Sequence, residues 1–470
     1  MIILKRKGGV LIERIIRSRI GKTPLLRAYS LEKHLGIKEI YFKLEGNNPS
    51  GHCEDRLAYL IIKDALSRGK NVICMGTYGV IGGSLSILAK AYDVKCVFYV
   101  PKGDVILRKK LFEQPYVEII KYGQSYQECV EESRKVSQQN GWYNANPGLA
   151  NSVMNMCAYS KIAEELNAQL QGKADTIFCQ TSNGFAVSGL NLGFKQLWVN
   201  DKISTIPKIN AITTTQGNSI YESFKKNLKV IEYLDKKMLK VSKINQYLIN
   251  PMPNNGQEAL NALYDHEGKA IGISDKELMD VFQEFKNIDR IKASSHHFFP
   301  IAGFIQEVKN GNISNGKHII VLDDGRVNVD VRITNNENLP MGKDEFASIL
   351  DKWLIHYSDP VIEIKEALTN ALSMGYVLCA YQGNKLLGAA VVINTGFSEF
   401  ATKYHLSYIA THIDSKGIGI ATNLLNQAIE LTKGNLSLHV DFENQRAIKL
   451  YQKLGFKKSY IRMIHQAKAH

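Results

Sequence analysis

Leu44-Glu45-Gly46-Asn47-Asn48-Pro49-Ser50-Gly51-His52-Cys53-Glu54-Asp55-Arg56 is the stretch that decides how the first two thirds of this chain folds. It follows a strand pattern over residues 39–44 and precedes Leu57, Leu60, Ile61 and Ala65, whose spacing is helical up to Gly69. Outward from it, strand patterns at 71–74, 94–100 and 117–122 alternate with helical ones at 84–92, 105–112 and 126–139. That alternation predicts a parallel sheet with crossover helices. A second α/β lobe runs through strands at 176–179 and 209–213 and helices at 258–264, 276–285 and 300–308. It closes on the strand 317–322, which exits into Asp323-Asp324-Gly325.

The bulk properties bound the answer. A chain of 470 residues exceeds one ordinary core and predicts two or three domains. Its 44% apolar and 22% charged residues are those of a globular protein. The formal charge of +14 is dispersed among acids, as in Glu131-Glu132-Ser133-Arg134-Lys135, with no basic run or aromatic-interleaved patch, so no nucleic-acid partner is expected. Seven widely spaced cysteines, none in a C-x-x-C pair, imply neither a disulfide framework nor a metal site and point to a reducing compartment. The first twenty residues interrupt their apolar runs with Lys5, Arg6, Lys7, Glu13, Arg14 and Arg17, unlike a signal peptide, and no later stretch is long enough to span a bilayer. The expectation is a cytoplasmic protein without a membrane partner.

The opening stretch resembles the lysine loop of the fold-type II pyridoxal-phosphate (PLP) enzymes of the threonine synthase and cysteine synthase group, which reads roughly E-x-x-N-P-T-G-S-F-K-D-R. Gly21-Lys22-Thr23-Pro24-Leu25, ahead of the first strand, matches that family's G-x-T-P-L entry, and the resemblance covers roughly residues 20–326. It implies a two-lobed α/β body of the tryptophan synthase β type. Glu54 occupies the position of the lysine that forms the Schiff base, and a carboxylate cannot condense with an aldehyde. The remaining cofactor positions depart as well. Val80, in Tyr78-Gly79-Val80-Ile81-Gly82, falls where an asparagine would meet the cofactor's phenolic oxygen. The phosphate loop maps to Thr181-Ser182-Asn183-Gly184-Phe185-Ala186, with the single glycine Gly184, and reads either as an anion cup or as a shallow surface turn. Asp324, at the strand exit, would face the pyridine nitrogen or simply end the strand in a turn. Lys43 and Lys63, the nearest amines, lie on the preceding strand and two turns into the helix, and neither replaces an amine at position 54.

Asn335-Asn336-Glu337-Asn338-Leu339-Pro340 is a turn-rich break, so residues 1–330 are read as the first domain, 331–340 as a linker and 341–470 as the second domain. Two helical patterns, a strand pair joined at Gln382-Gly383-Asn384-Lys385, and a strand at 405–410 predict an α+β domain there. Then Ser415-Lys416-Gly417-Ile418-Gly419-Ile420-Ala421 turns a strand into a helix, aiming unpaired N–H groups and the helix dipole at an anion. Asn444-Gln445-Arg446-Ala447-Ile448-Lys449-Leu450-Tyr451-Gln452-Lys453-Leu454-Gly455-Phe456 follows the strand pattern 436–441. K-G-x-G-x-A followed by N-x-x-A-x-x-L-Y-x-K-L-G-F resembles the GCN5-related N-acetyltransferases (GNAT family) over about residues 345–460, with Asp414 where the family usually carries Gln or Arg.

That resemblance implies acetyl-CoA as acyl donor, its pyrophosphate on Ser415, Lys416, Gly417, Ile418, Gly419 and Ala421. Asn444 and Tyr451, seven residues apart and so on one helical face, would serve the pantetheine arm and protonate the leaving thiolate; Tyr451 could instead be a core residue packed on Phe456. Deprotonating an amine of pKa ~10 at neutral pH costs about 4 kcal/mol, so a base is expected, with Glu399, His405, His439 and Asp441 as candidates. The sequence thus predicts a CoA-dependent N-acyltransferase acting on a small amine or amino acid, fused to a PLP-enzyme-like pseudoenzyme. Alternatives are a PLP-dependent lyase or synthase and a non-catalytic amino-acid-binding module. A homodimer is left open.

Overall fold

The computed structural model describes residues 20–103, 114–148, 151–170, 172–235, 239, 241–327, 329–382, 384–397, 402–415 and 419–459. They form two compact units, Ile20–Asn328 and the chain from Val329 onward.

The first unit opens with β1 (Leu25–Arg27), α1 (Tyr29–Leu35) and β2 (Ile40–Leu44), followed by α2 (Asp55–Ser67), β3 (Val72–Gly76), α3 (Val80–Tyr92), β4 (Lys95–Val100), β5 (Val117–Lys121), α4 (Tyr126–Gln139) and β6 (Tyr143–Asn144). Next come α5 (Ser152–Gln169), β7 (Thr176–Gln180), α6 (Phe185–Val199), β8 (Lys208–Thr214), α7 (Ser219–Lys225), α8 (Gly256–Asp265) and β9 (Ala270–Ile273). The unit ends with α9 (Asp275–Phe285), β10 (Ile291–Lys292), α10 (Phe299–Lys309), β11 (His318–Leu322) and β12 (Arg326–Val327). The helix expected over 105–112 lies outside the described residues.

Two main sheets carry this unit, beside the two-stranded antiparallel pair β10–β12. The larger has the order β1-β2-β11-β7-β8-β9 and is parallel apart from β1 on β2; the smaller, β5-β4-β3-β6, is parallel throughout. Parallel sheets covered on both faces need continuous apolar strands, and β11 is buried at every position. The chain starts in the larger sheet, builds the smaller one and returns. Residues 45–54 are therefore the first crossing between the sheets, leaving the C-terminal end of β2, where open α/β folds place their ligands.

One helix absent from the sequence reading, α5, shapes that crossing. It packs on α6 through Gly189 and Gly193. A Cβ added at Gly189 would fall 2.7 Å from the Met156 carbonyl oxygen, and one at Gly193 would fall 2.4 Å from that of Ser160. The two helices therefore meet nearly backbone to backbone.

The second unit comprises β13 (Asp330–Thr334), α11 (Lys343–Leu354), α12 (Val361–Met374), β14 (Tyr376–Gln382), β15 (Lys385–Asn394), β16 (Tyr404–Thr411), α13 (Ile420–Leu431), β17 (Leu436–Leu438) and α14 (Gln445–Lys453). Its sheet runs β13-β14-β15-β16-β17, antiparallel except for β16 with β17. Phe346, Leu350, Ile364 and Leu368 from α11 and α12 pack on Val377, Ala389 and Val391. The expected linker, 331–340, is corrected here: β13 (Asp330–Thr334) overlaps it and pairs with β14, and Asn335–Pro340 is a turn inside the second unit, with the Asn335 N–H on Asn338 Oδ1 at 2.7 Å. Among the described residues, no helix is long and apolar enough to cross a membrane.

Candidate functional site

The crossing loop is pinned before it reaches Glu54. Gly46 donates its N–H to the Gly325 carbonyl at 2.9 Å, and a Cβ at Gly46 would fall 2.2 Å from the Asp324 carbonyl oxygen, so only glycine fits against that turn. Cys53 donates its N–H to the Asp323 carbonyl at 2.9 Å, and Ser50 Oγ lies 3.0 Å from Ser84 Oγ on α3. The loop thus bridges the end of β11 and the smaller lobe.

Two charge clusters grow from it. In the first, Arg56 holds Glu45 through Nε–Oε2 at 2.7 Å and Nη2–Oε1 at 2.9 Å, and holds Glu165 of α5 through Nη1–Oε1 at 2.8 Å and Nη2–Oε2 at 2.9 Å. Lys43, fully buried, donates to Glu165 Oε2 at 2.7 Å, the Thr23 carbonyl at 2.8 Å and Gln169 Oε1 at 3.0 Å. Two cations meet two anions. Burial opposes ionisation of Glu165, yet the Arg56 hydrogen bonds and charge, with Lys43 beside them, hold it down to about 2. The Lys43 amine is committed to this cluster and Lys63 is exposed, so neither supplies an imine nitrogen.

The second cluster begins one residue before α2. Glu54 Oε1 accepts the Tyr159 hydroxyl at 3.0 Å, a contact the close packing of α5 on α6 makes reachable. His52 Nδ1 accepts the Glu54 N–H at 3.2 Å and lies 3.4 Å from Cys53 Sγ. Asp323, at the exit of β11, completes a His52–Cys53–Asp323 group whose ligand-capable atoms all lie within 4.8 Å of one another. His297 follows, Nδ1 at 3.8 Å from Asp323 Oδ2 and its ring centroid 5.0 Å from that of His52. Lost hydration, then the charges of Glu54, Glu45 and Asp324, push Asp323 up to about 8. Burial and the neighbouring Asp323 likewise raise the Cys53 thiol well above its usual range.

The other cofactor positions are also occupied by protein contacts. Val80 opens α3 behind Gly79 and offers no hydrogen bond. Gly184 adopts φ +89°, and a Cβ there would fall 2.4 Å from the Asn255 carbonyl oxygen, so close packing against the segment before α8 explains this glycine. Asn183 Oδ1 accepts Asn250 Nδ2 at 2.7 Å, its carbonyl accepts the Asn255 N–H at 3.0 Å, and the Ser182 carbonyl accepts Asn218 Nδ2 at 3.1 Å. The loop is therefore a packed turn, not a shallow surface one. Asp324 accepts the Ser294 N–H, at 3.1 Å for Oδ2. These residues do not fit a covalently held PLP: there is no amine at position 54, no ring partner at 80, and the glycine turn is closed by asparagines.

In the second unit, β16 and β17 pair only over Tyr404–Leu406 and Leu436–Leu438. Val391 faces Tyr408 while Val392 faces Leu406, leaving Ser407 as a bulge where that pairing ends. β16 runs on beyond it to Thr411, and the strand expected to run to 441 instead stops at Leu438. Asp441 Oδ1 accepts the Glu443 N–H at 2.8 Å and turns the chain into α14.

Gly419 caps α13 with φ +85° and Ala421 lies in its first turn, half-buried. Ser415 Oγ donates to the His412 carbonyl at 2.6 Å. Lys416, Gly417 and Ile418, and the base candidate Glu399, lie outside the described residues. Asn444 caps α14, its Oδ1 accepting the Ala447 N–H at 3.1 Å. Tyr451 is buried with its ring 5.8 Å from Phe456, and burial pushes its hydroxyl up to about 12. His405 Nδ1 lies 2.9 Å from Ser437 Oγ, and its ring is 4.5 Å from that of His439, which brings two base candidates together on the β16–β17 pair.

Sequence reasoning passed over His52, Cys53, Tyr159, His297 and Asp323. The first two stood in the quoted loop beside Glu54, and Asp323 at a strand exit; Tyr159 and His297 carried no local signal.

Comparison with known proteins agrees with both units. Residues 16–324 match the family model described as pyridoxal-phosphate dependent enzyme, and residues 343–456 match the acetyltransferase (GNAT) family. Threonine synthase of Methanocaldococcus jannaschii is 26% identical over 310 residues, 65% of this chain and 74% of that protein. The Methanosarcina acetivorans threonine synthase is 23% identical over 311 residues, covering 65% and 75%. Among solved structures, the processed form of threonine deaminase isoform 2 from Solanum lycopersicum superposes with a TM-score of 0.56 at 14% identity over 66% of this chain and 85% of that one, a likeness of fold. The chain therefore belongs to the pyridoxal-phosphate dependent enzyme family, with an acetyltransferase (GNAT) family domain following that body.

Proposed function

We propose that this protein is a CoA-dependent N-acyltransferase, transferring acetyl from acetyl-CoA to a small amine or amino-acid-like acceptor, and that its larger body is a pseudoenzyme without PLP chemistry. The observation that carries the reading is that β17 stops at Leu438 while β16 runs on past the Ser407 bulge to Thr411, with α13 starting behind Gly419. The length of β16 beyond β17 offers a strand edge to an extended thioester arm, and α13 offers its N–H groups to the phosphates.

In the transfer, the acceptor nitrogen attacks the thioester carbonyl and loses a proton to a base; His405, paired with His439 and Ser437, is the described residue best placed to relay it. Collapse of the tetrahedral adduct breaks the C–S bond. Tyr451, protonated at neutral pH, gives its proton to the departing thiolate. Support for the pseudoenzyme half is the carboxylate at Glu54 and the commitment of Lys43 to Glu165.

Calorimetric titration of the full chain with acetyl-CoA, followed by thiol release across a panel of amines and amino acids, tests the first half. Absence of acetyl-CoA binding at millimolar concentration would refute it. Tyr451→Phe is expected to lower kcat by about 100-fold while leaving acetyl-CoA binding in place. For the second half, PLP added to the full chain should give no borohydride-sensitive imine absorbance.

A further inference from the structure

The His52–Cys53–Asp323 group answers to chemistry that neither family name covers. A thiol, an imidazole and a carboxylate converge from two segments, the crossing loop and the exit of β11, with their ligand-capable atoms within 4.8 Å of one another. Cys53 Sγ and His52 Nδ1 are 3.4 Å apart. Two such donors around a tetrahedral zinc ion stand roughly 3.4–3.6 Å apart, as metal–ligand distances of about 2.0–2.3 Å require. His52 Nδ1 accepts the backbone N–H of Glu54 and so carries no proton, and ligation through it exchanges that hydrogen bond for the metal.

Second-sphere contacts hold the group. The Cys53 N–H bonded to the Asp323 carbonyl fixes two donors relative to each other, and Tyr159 anchors Glu54 alongside. His297 lies beside Asp323, its Nδ1 3.8 Å from Asp323 Oδ2. The cations nearest the loop, Lys43 and Arg56, are bonded to Glu45 and Glu165 and do not offset this cluster.

We infer that this protein binds a zinc-class divalent cation through His52, Cys53 and Asp323, in the cleft where its relatives' family carries the imine lysine. The mixed sulfur, nitrogen and oxygen set selects borderline metals such as zinc or cobalt over magnesium or calcium. Ligation takes Cys53 as thiolate, so uptake of the ion releases the thiol proton to solvent. The inference goes beyond the acyltransferase reading, and its test reads a separate signal.

Untagged full-length protein, stripped with chelator and dialysed, is titrated with cobalt(II). The expected result is about one cobalt per chain, with a near-ultraviolet thiolate-to-cobalt charge-transfer band, intense visible bands of tetrahedral geometry, and loss of both on adding zinc. Cys53→Ala should abolish the charge-transfer band, and Asp323→Asn should weaken cobalt binding by at least about 10-fold. Circular dichroism establishes that each variant is folded, and Cys53→Ser replaces Cys53→Ala if the latter is not. Folded wild-type protein without a charge-transfer band at saturating cobalt would overturn the inference. So would a band that persists in the Cys53 variant, since another thiol would then be the ligand.

Discussion

Glu54 and Arg56 stand two residues apart where the crossing loop enters α2, and lie in opposite kinds of charge environment. Around Arg56, Lys43, Glu45 and Glu165 make a closed set of two cations and two anions, nearly every polar atom of which is bonded to another. Around Glu54, Asp323 adds a second acid, and the groups facing them are a phenol, a thiol and two imidazoles. A buried set that balances itself needs nothing further, and serves to lock the loop to β2 and α5. An acid-rich set is an arrangement that awaits protons or an ion. The comparison separates the part of the loop that holds the fold from the part whose charge is left open.

The largest effect is expected from unbalancing the closed set. Arg56→Leu leaves Glu45 and Glu165 buried without their partner, and should cost about 3–5 kcal/mol in urea unfolding. A next effect sets the clusters against each other through pH in chelated protein. Glu165 has a folded pKa lowered to about 2, so its contribution, about 3 kcal/mol, is present above its unfolded value near ~4.3 and is lost as pH falls toward 2. Asp323 has a folded pKa raised to about 8, so its contribution is fully present below an unfolded value near ~3.9 and is lost as pH rises through 8. Unfolding midpoints should therefore rise from pH 2 to about 4 and decline between about pH 4 and 8, and Asp323→Asn should flatten only the latter decline.

Smaller still, Glu54→Gln removes one of the charges raising Asp323 and should stabilise the chelated protein at pH 8 by on the order of 1 kcal/mol. A loss in place of that gain would mean that Glu54 is compensated after all. Tyr159→Phe deletes the hydroxyl that Glu54 accepts and should cost roughly 0.5–1.5 kcal/mol, and less in the Glu54→Gln background. Additive costs in that double-mutant cycle would detach Tyr159 from the cluster.

Much of this architecture was readable from local patterns, because β2, β4, β7, β8 and β11 are apolar runs bounded by turns and α2, α4 and α9 show one apolar face. Helix α5 was missed for a physical reason. It packs on both α2 and α6, so apolar and small residues are spread around most of its circumference and its polar stripe is confined to its C-terminal half, at Lys161, Glu164 and Gln169. β13 was taken for linker because Asp330, Arg332 and Ile333 are exposed on an edge strand beside a turn of asparagines. At the site, Glu54 and Val80 were visible as departures at fixed motif positions. The group around Cys53 was not, since Asp323 and His297 reach it from more than two hundred residues away through the return of the chain to the larger sheet.

The commitment of Lys43 to Glu165 and the Thr23 carbonyl has a genetic corollary. With that amine locked, an imine nitrogen at this crossing has to come from codon 54, and glutamate and lysine codons differ by a single base transition. A lysine codon is thus one mutational step away, and a selection for imine formation would ask of the rest of the cleft whether it accommodates the cofactor.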